Sequence, residues 1–275
     1  MILDYREYIK REGTKGLLNF NQIDNNTHLY NSKLGVCPFC TKKKSLLVYN
    51  ESTTNYPNWL DGSFRESEKV WECQSCGWWE YCYTNQSNAM NEGLHLSDIK
   101  VHTAVLKKFE LGDKSVPIQT LNDYISKNPE KIYDIHHKKM EELTKAVFEE
   151  HYNCEVELVG KSHDGGMDLI LVNSDDPIVV QVKRRTQAKK VEPVSSIREL
   201  LGATQLFEAK SCIFVSTADH FSAPAIAAAE KAQQLELVNR FDLIDYHRFV
   251  DMLKLQQVKL LSPWETLTSV NKVNK

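Results

Sequence analysis

The sequence predicts an α/β protein: a mixed β-sheet flanked by helices, preceded by a small β-rich unit organised by cysteines. From about residue 137 onward, helical and strand periodicities alternate regularly. Residues 1 to about 100 are instead rich in Asn, Ser, Thr, Tyr and Trp and hold two Cys-x-x-Cys pairs. The implied organisation is a cysteine-centred domain over 1–105, a connector over 106–136 that carries Gly112, Pro117 and Pro129 and some short helix of its own, and a second domain over 137–275. No internal repeat or low-complexity stretch interrupts this division.

The second domain is read element by element. Met140, Leu143 and Val147 recur at helical spacing and predict a helix over 137–152. Glu155–Val159 alternates as a strand, and His163-Asp-Gly-Gly is a turn because glycine tolerates positive φ. Met167–Val172 is a second strand, Asn173-Ser-Asp-Asp-Pro a tight turn, and Ile178–Lys183 a third strand. Ile197, Leu200, Leu201 and Thr204 mark a helix, Cys212–Ser216 a strand, and the alanine-rich 223–234 a further helix. A strand near Leu237 and a helix over 242–254 complete the series.

With 41% hydrophobic and 26% charged residues the chain is globular rather than disordered. Its net charge of -3 does not attract nucleic acid as a whole, so a polyanion reader must gather its cations locally. No apolar run of about 18 residues predicts a membrane span, and the N-terminus lacks the basic start and apolar core of a signal peptide. A cytoplasmic location is therefore expected, and in that reducing setting paired cysteines point to metal rather than disulfides.

Cys37-Pro-Phe-Cys40 and Cys73-Gln-Ser-Cys76-Gly77 form two knuckles separated by 32 residues. Four thiolates at such spacing make a closed tetrahedral site for structural Zn²⁺. The long gap predicts a loop around Tyr56 to Phe64. Trp59, Phe64, Trp71, Trp78 and Trp79, with Lys42, Lys43 and Lys44, either meet nucleic acid or protein or pack the small domain; the sequence leaves both open. Cys82 is surplus to the ligand set, and Cys154 and Cys212 read as buried small hydrophobes. His136 and His137 read as surface or helix-start residues. This half resembles a zinc ribbon, a generic module that fixes no function.

Asp168, Gln181 and Lys183 fall on two adjacent predicted strands. Residues two apart on a strand share a face, so Gln181 and Lys183 point together with Val182 opposite. Taken singly, an Asp after Gly-Gly is a turn residue and Gln-Val-Lys a solvated strand face. Together they supply what phosphodiester hydrolysis needs. A hard cation such as Mg²⁺ takes oxygen from Asp168, the Gln181 side chain and the Val182 carbonyl. Lys183 sets a positive charge beside the developing phosphorane. Arg184, Arg185, Lys189 and Lys190 follow that strand, and they are expected to hold DNA phosphates.

Met140-Glu-Glu-Leu, His163-Asp-Gly-Gly-Met-Asp168, Val180-Gln-Val-Lys-Arg, Arg198-Glu-Leu-Leu-Gly-Ala, Ile213-Phe-Val-Ser-Thr and the alanine-rich helix after Phe221 occur in that order. Over about 115 residues this resembles the catalytic domain of Mrr-like restriction endonucleases of the PD-(D/E)XK superfamily. The resemblance implies that fold, and it implies a Mg²⁺- or Mn²⁺-dependent endonuclease that hydrolyses DNA phosphodiester bonds in restriction or defence against foreign DNA. It assigns Asp168 to the metal, Gln181 to the acidic motif position and Lys183 to the motif lysine. It gives Glu141 a supporting role on the first helix, with Glu142 the alternative. Glutamine is common at this position among Mrr-like members, but it removes one negative charge and should weaken metal binding. The rival expectations are a nucleic-acid-binding or partner-activated protein with a dormant nuclease fold, and a zinc-ribbon interaction protein that recruits an ATPase or nuclease. No Walker loop is present, so an energy source would come from a separate ATPase or defence-system partner. Cutting both antiparallel strands suggests a homodimer or larger assembly.

Overall fold

The computed structural model describes residues 1–40, 45–58, 61–159, 166–172, 176–255 and 261–269. Lys42, Lys43, Lys44, Trp59 and the turns at 160–165 and 173–175 lie outside the described residues. The chain divides into two compact units, Leu3–Lys108 with Leu261–Lys275, and Met1–Ile2 with Phe109–Leu260.

The cysteine-bearing unit contains β1 (Ile2–Asp4), β2 (Tyr8–Leu18), β3 (Asn21–Asn25), β4 (Leu46–Asn55), β5 (Ser63–Glu72), β6 (Trp79–Ala89), β7 (Leu94–Ala104) and β8 (Lys107–Phe109). Six of them form one antiparallel sheet in the order β3-β2-β7-β6-β5-β4, and β1 pairs with β8. This is more sheet than a small ribbon holds. Runs such as Glu51–Asn55 and Thr84–Asn88 are polar on both faces, which conceals strand alternation. Phe64 therefore lies in β5 rather than in a loop. The core gathers Tyr5, Val70, Trp78, Trp79, Tyr81 and Ala104. Trp78 donates to the Ala104 carbonyl (3.2 Å) and Trp79 to the Tyr5 carbonyl (2.9 Å). Both indoles are buried with their N–H groups satisfied, so this pair is packing and not a recognition surface.

The second unit contains α1 (Ile118–Lys127), α2 (His137–Tyr152), β9 (Glu155–Leu158), β10 (Leu169–Val172), β11 (Ile178–Lys183), β12 (Val191–Glu192), α3 (Val194–Leu206), β13 (Ser211–Ser216), β14 (His220–Phe221), α4 (Ala223–Gln234), β15 (Arg240–Ile244) and α5 (Tyr246–Leu255). Its five-stranded sheet runs β15-β13-β11-β10-β9. The β9-β10-β11 part is antiparallel and the β11-β13-β15 part parallel, as crossover helices α3 and α4 require. Leu121, Ile125, Met140, Val147, Phe249 and Leu253 from α1, α2 and α5 cover the face carrying Leu169, Val180 and Val182. Ile197, Leu200, Ala225 and Ala229 from α3 and α4 cover the other, which carries Val179 and Phe214.

Three expectations are corrected here. Residues 109–136 are not a connector: Val116, Leu121, Ile125, Ile132 and Ile135 are buried in the same core as α2. Residues 261–275 belong with the cysteine-bearing unit, not with the domain drawn over 137–275. The last strand begins at Arg240 rather than near Leu237, because Leu235–Asn239 first closes α4 and turns.

Candidate active site and cysteine cluster

β11 is the central strand of its sheet, buried along its length until Lys183 at its end. Its branched residues make it a strand, and its alternation places Gln181 and Lys183 on the face opposite Val180 and Val182. Asp168 comes one residue before β10. Its amide donates to the Val180 carbonyl (2.9 Å), and its Oδ2 accepts from the Val182 amide (2.6 Å). The carboxylate is thereby pinned between Gln181 and Lys183. The contact to Val182 is through its N–H.

Gln181 is only 7% exposed, and its Oε1 has no hydrogen-bond partner among the described residues. Leaving a buried amide oxygen unsatisfied costs about 1–3 kcal/mol. The site thus keeps an oxygen acceptor in reserve beside a carboxylate. Gly166 sets the amide's position. Its φ is +88°, and a β-carbon there would meet Gln181 Nε2 at 2.9 Å, so the turn admits glycine alone.

α2 packs on the Val180/Val182 face, opposite to Gln181, so Glu141 does not share a sheet face with the trio. It does lie at the correct end. Tyr133, just before α2, accepts from Arg184 Nη1 (2.7 Å) beyond the end of β11, whereas Tyr152 at the far end of α2 stacks near Arg240 at the start of β15 (5.7 Å). Glu141 is half-buried near the start of the helix. Glu142 is committed to Lys139 (2.5 Å). His136 is the N-cap of α2, its Nδ1 accepting from the Lys138 amide (3.1 Å).

The basic run divides. Lys189 and Lys190 are exposed. Arg185 is not on offer to a ligand: Nε donates to Glu192 Oε2 (2.9 Å), Nη2 pairs with Oε1, and its amide donates to Thr217 (2.7 Å). Glu192 is fully buried and also accepts from Ser216 (2.7 Å). Burial alone would push its carboxyl up, but Arg185, Ser196 and Ser216 outweigh that and hold it below the usual carboxylate range. Nothing local in the sequence marks Glu192, whose partner lies seven residues back across a turn.

In the other unit Cys37, Cys40, Cys73 and Cys76 converge, their sulfurs all within 4.8 Å of one another and Cys37 to Cys76 at 3.7 Å. A tetrahedral zinc site with Zn–S near 2.3 Å requires sulfurs about 3.8 Å apart, so the cluster is compatible with Zn²⁺. The second knuckle turns as Gly77, with φ +81°, donates to the Cys73 carbonyl (2.8 Å). Burial tends to raise the Cys73 thiol, but the amides of Ser75 and Cys76 overcome it and lower the group to about 7. Cys40 is pushed up to about 12, chiefly by its contact with the Cys76 sulfur. Cys82 is buried outside the cluster and raised to about 11, while Cys212 is buried and Cys154 half-buried. No helix is long and apolar enough to cross a membrane among the described residues.

Residues 132–247 match the family model described as restriction endonuclease. No curated protein matches the chain. Among solved structures, restriction endonuclease FokI bound to DNA is similar at 16% identity and a TM-score of 0.34, over 54% of this chain and 29% of that one. FokI alone gives 16% and 0.33 over the same shares. EndoMS in its apo form gives 10% and 0.21, over 72% and 86%. The chain thus spans 29% of the length of the FokI chains. Residues 132–247, which hold Asp168, Gln181 and Lys183 on a mixed sheet between two helical layers, form a restriction-endonuclease domain of the Mrr type.

Proposed function

We propose that this protein is a divalent-metal-dependent DNA endonuclease whose catalytic groups are Asp168, Gln181 and Lys183. The observation that carries this is the buried Oε1 of Gln181, without a hydrogen-bond partner among the described residues, on the residue next to Val182, whose amide holds the Asp168 carboxylate. These two oxygens, with the Val182 carbonyl at the same strand end, suit a hard cation such as Mg²⁺ or Mn²⁺. When bound, such an ion polarises the phosphoryl oxygen and lowers the pKa of a water. Lys183, half-buried at the end of β11, steadies charge that builds on the phosphorane. Glu141, near the start of α2, supports the site from the same end of the sheet without sharing the trio's face, and Lys189 and Lys190 hold the DNA backbone; Arg185 shapes their loop instead. The Cys37, Cys40, Cys73 and Cys76 set holds structural Zn²⁺.

The family description supports a role in restriction of foreign DNA inside the cell. A double-strand cut calls for two such sites, hence a homodimer or larger assembly, with any ATPase partner supplied by another chain. The test is incubation of modified and unmodified plasmid with Mg²⁺ or Mn²⁺. Metal-dependent nicking or linearisation that vanishes in Asp168→Ala is expected. Cleavage by Asp168→Ala at the parent rate overturns the assignment, and cleavage that requires a cell extract identifies a partner-activated form.

A further inference from the structure

The cysteine-bearing unit carries a groove that catalysis leaves unused. The register of its sheet stacks alternate side chains in rows across one face. One row runs Asp24–Lys15–Ser97–Gln86–Arg65–Thr54 from β3 to β4, and the next includes His95 and Asn88. These rows floor a cavity of about 480 Å³. Among the described residues no carboxylate lines it; Asp24, across from Lys15, stands at the β3 edge of the row, outside the lining. The acidic groups of β5, Glu66, Glu68 and Glu72, have the opposite parity and occupy the other face. Among the described residues neither Lys15 nor Arg65 has an ion-pair partner. On a molecule of net charge -3, this leaves two cations on one face of the sheet able to meet an anion.

The remaining lining is suited to bases. Tyr30 is fixed by its hydroxyl to the Ser97 carbonyl, and its ring lies 4.3 Å from Lys15 Nζ. Tyr56, just past β4, is 75% exposed, an aromatic ring with no packing role. Gln86 and Asn88 present amides between the two cations, and amides can both donate to and accept from base edges. The volume is that of a small-ligand site, suited to one nucleotide unit rather than a duplex.

We infer that this groove binds a single-stranded segment of DNA, with phosphates on Lys15 and Arg65 and a base against Tyr56. The inference is independent of catalysis. It is tested by anisotropy of a short fluorescein-labelled oligothymidylate, single-stranded or paired with oligodeoxyadenylate, without added divalent metal. The parent should bind the single strand more tightly than the duplex. The double variant Lys15→Ala, Arg65→Ala should weaken single-strand binding on the order of ten-fold and reduce its salt slope by about 1.4, since each phosphate contact contributes about 0.7. Tyr56→Ala should weaken it by roughly five-fold or more, the low end for loss of base stacking. All three residues are exposed, so folding should survive, and circular dichroism checks this. Asp168→Ala should bind the oligonucleotide like the parent even though it does not cut plasmid. Equal affinity and slope in the double variant, no single-strand preference in the parent, or loss of binding in Asp168→Ala would each overturn the inference.

Discussion

The proposed mechanism gives Asp168, Gln181 and Lys183 separate contributions, and substitutions should separate them. Asp168→Ala should abolish cleavage while DNA binding persists, because it removes a negative charge and not a DNA contact. Lys183→Ala should lower kcat by about 10²-fold or more with metal affinity nearly unchanged, since its charge acts on the transition state. Metal titration followed by turnover distinguishes the two. Gly166→Ala tests the support beneath them. Its β-carbon would collide with Gln181 Nε2 and its φ is left-handed, so about 1 kcal/mol or more of strain is expected, with a displaced amide. Activity should fall further than the denaturation midpoint indicates. The shared face of Gln181 and Lys183 was legible because the apolar run of β11 fixes which residues alternate. The part played by Gly166 was not, because it depends on where Gln181 arrives from another strand.

Elements were legible wherever their period was pure. α2 and α4 match the predicted spans residue for residue, whereas α1 was expected only as some short helix within a connector, its bounds hidden by Gly112, Pro117 and Pro129. The loop between β11 and α3 was misread for a different reason: an arginine beside a catalytic strand suggests DNA until its buried partner is known. That partner makes a prediction. Glu192→Ala leaves the Arg185 guanidinium without its counter-ion in the interior and should cost about 3–5 kcal/mol, read from urea denaturation. Because the folded Glu192 carboxyl titrates below its unfolded value, its contribution is complete above the unfolded pKa of about 4.3 and is lost as pH falls through the folded pKa. Between neutral and acid pH the parent should therefore lose more stability than Glu192→Gln.

For the whole molecule, the division into a cysteine unit and a nuclease unit was legible, and its exact seams were not. Two units with separate cores should melt separately. Cys73→Ser, or treatment with a zinc chelator, should abolish one calorimetric transition and leave the other near its parent temperature; loss of both would show that the cysteine cluster supports the entire chain. The seam at 261 was hidden because a short polar stretch has no period to read. Its residues are nevertheless anchored: Trp264 donates to Glu72 (3.3 Å), and the Ser269 amide and hydroxyl donate to buried Glu68 (2.9 and 2.8 Å).

That anchoring bears on the order in which the protein is made. The strands of the cysteine unit leave the ribosome first, yet the segment that satisfies Glu68 leaves after the whole of α5. The unit that starts folding first is finished last, and the nuclease unit has its complete sequence available before its predecessor does. A nascent chain arrested once Leu255 has emerged from the ribosome should carry a folded nuclease unit beside a β-sheet still open to proteases, and emergence of the segment through Ser269 should close it.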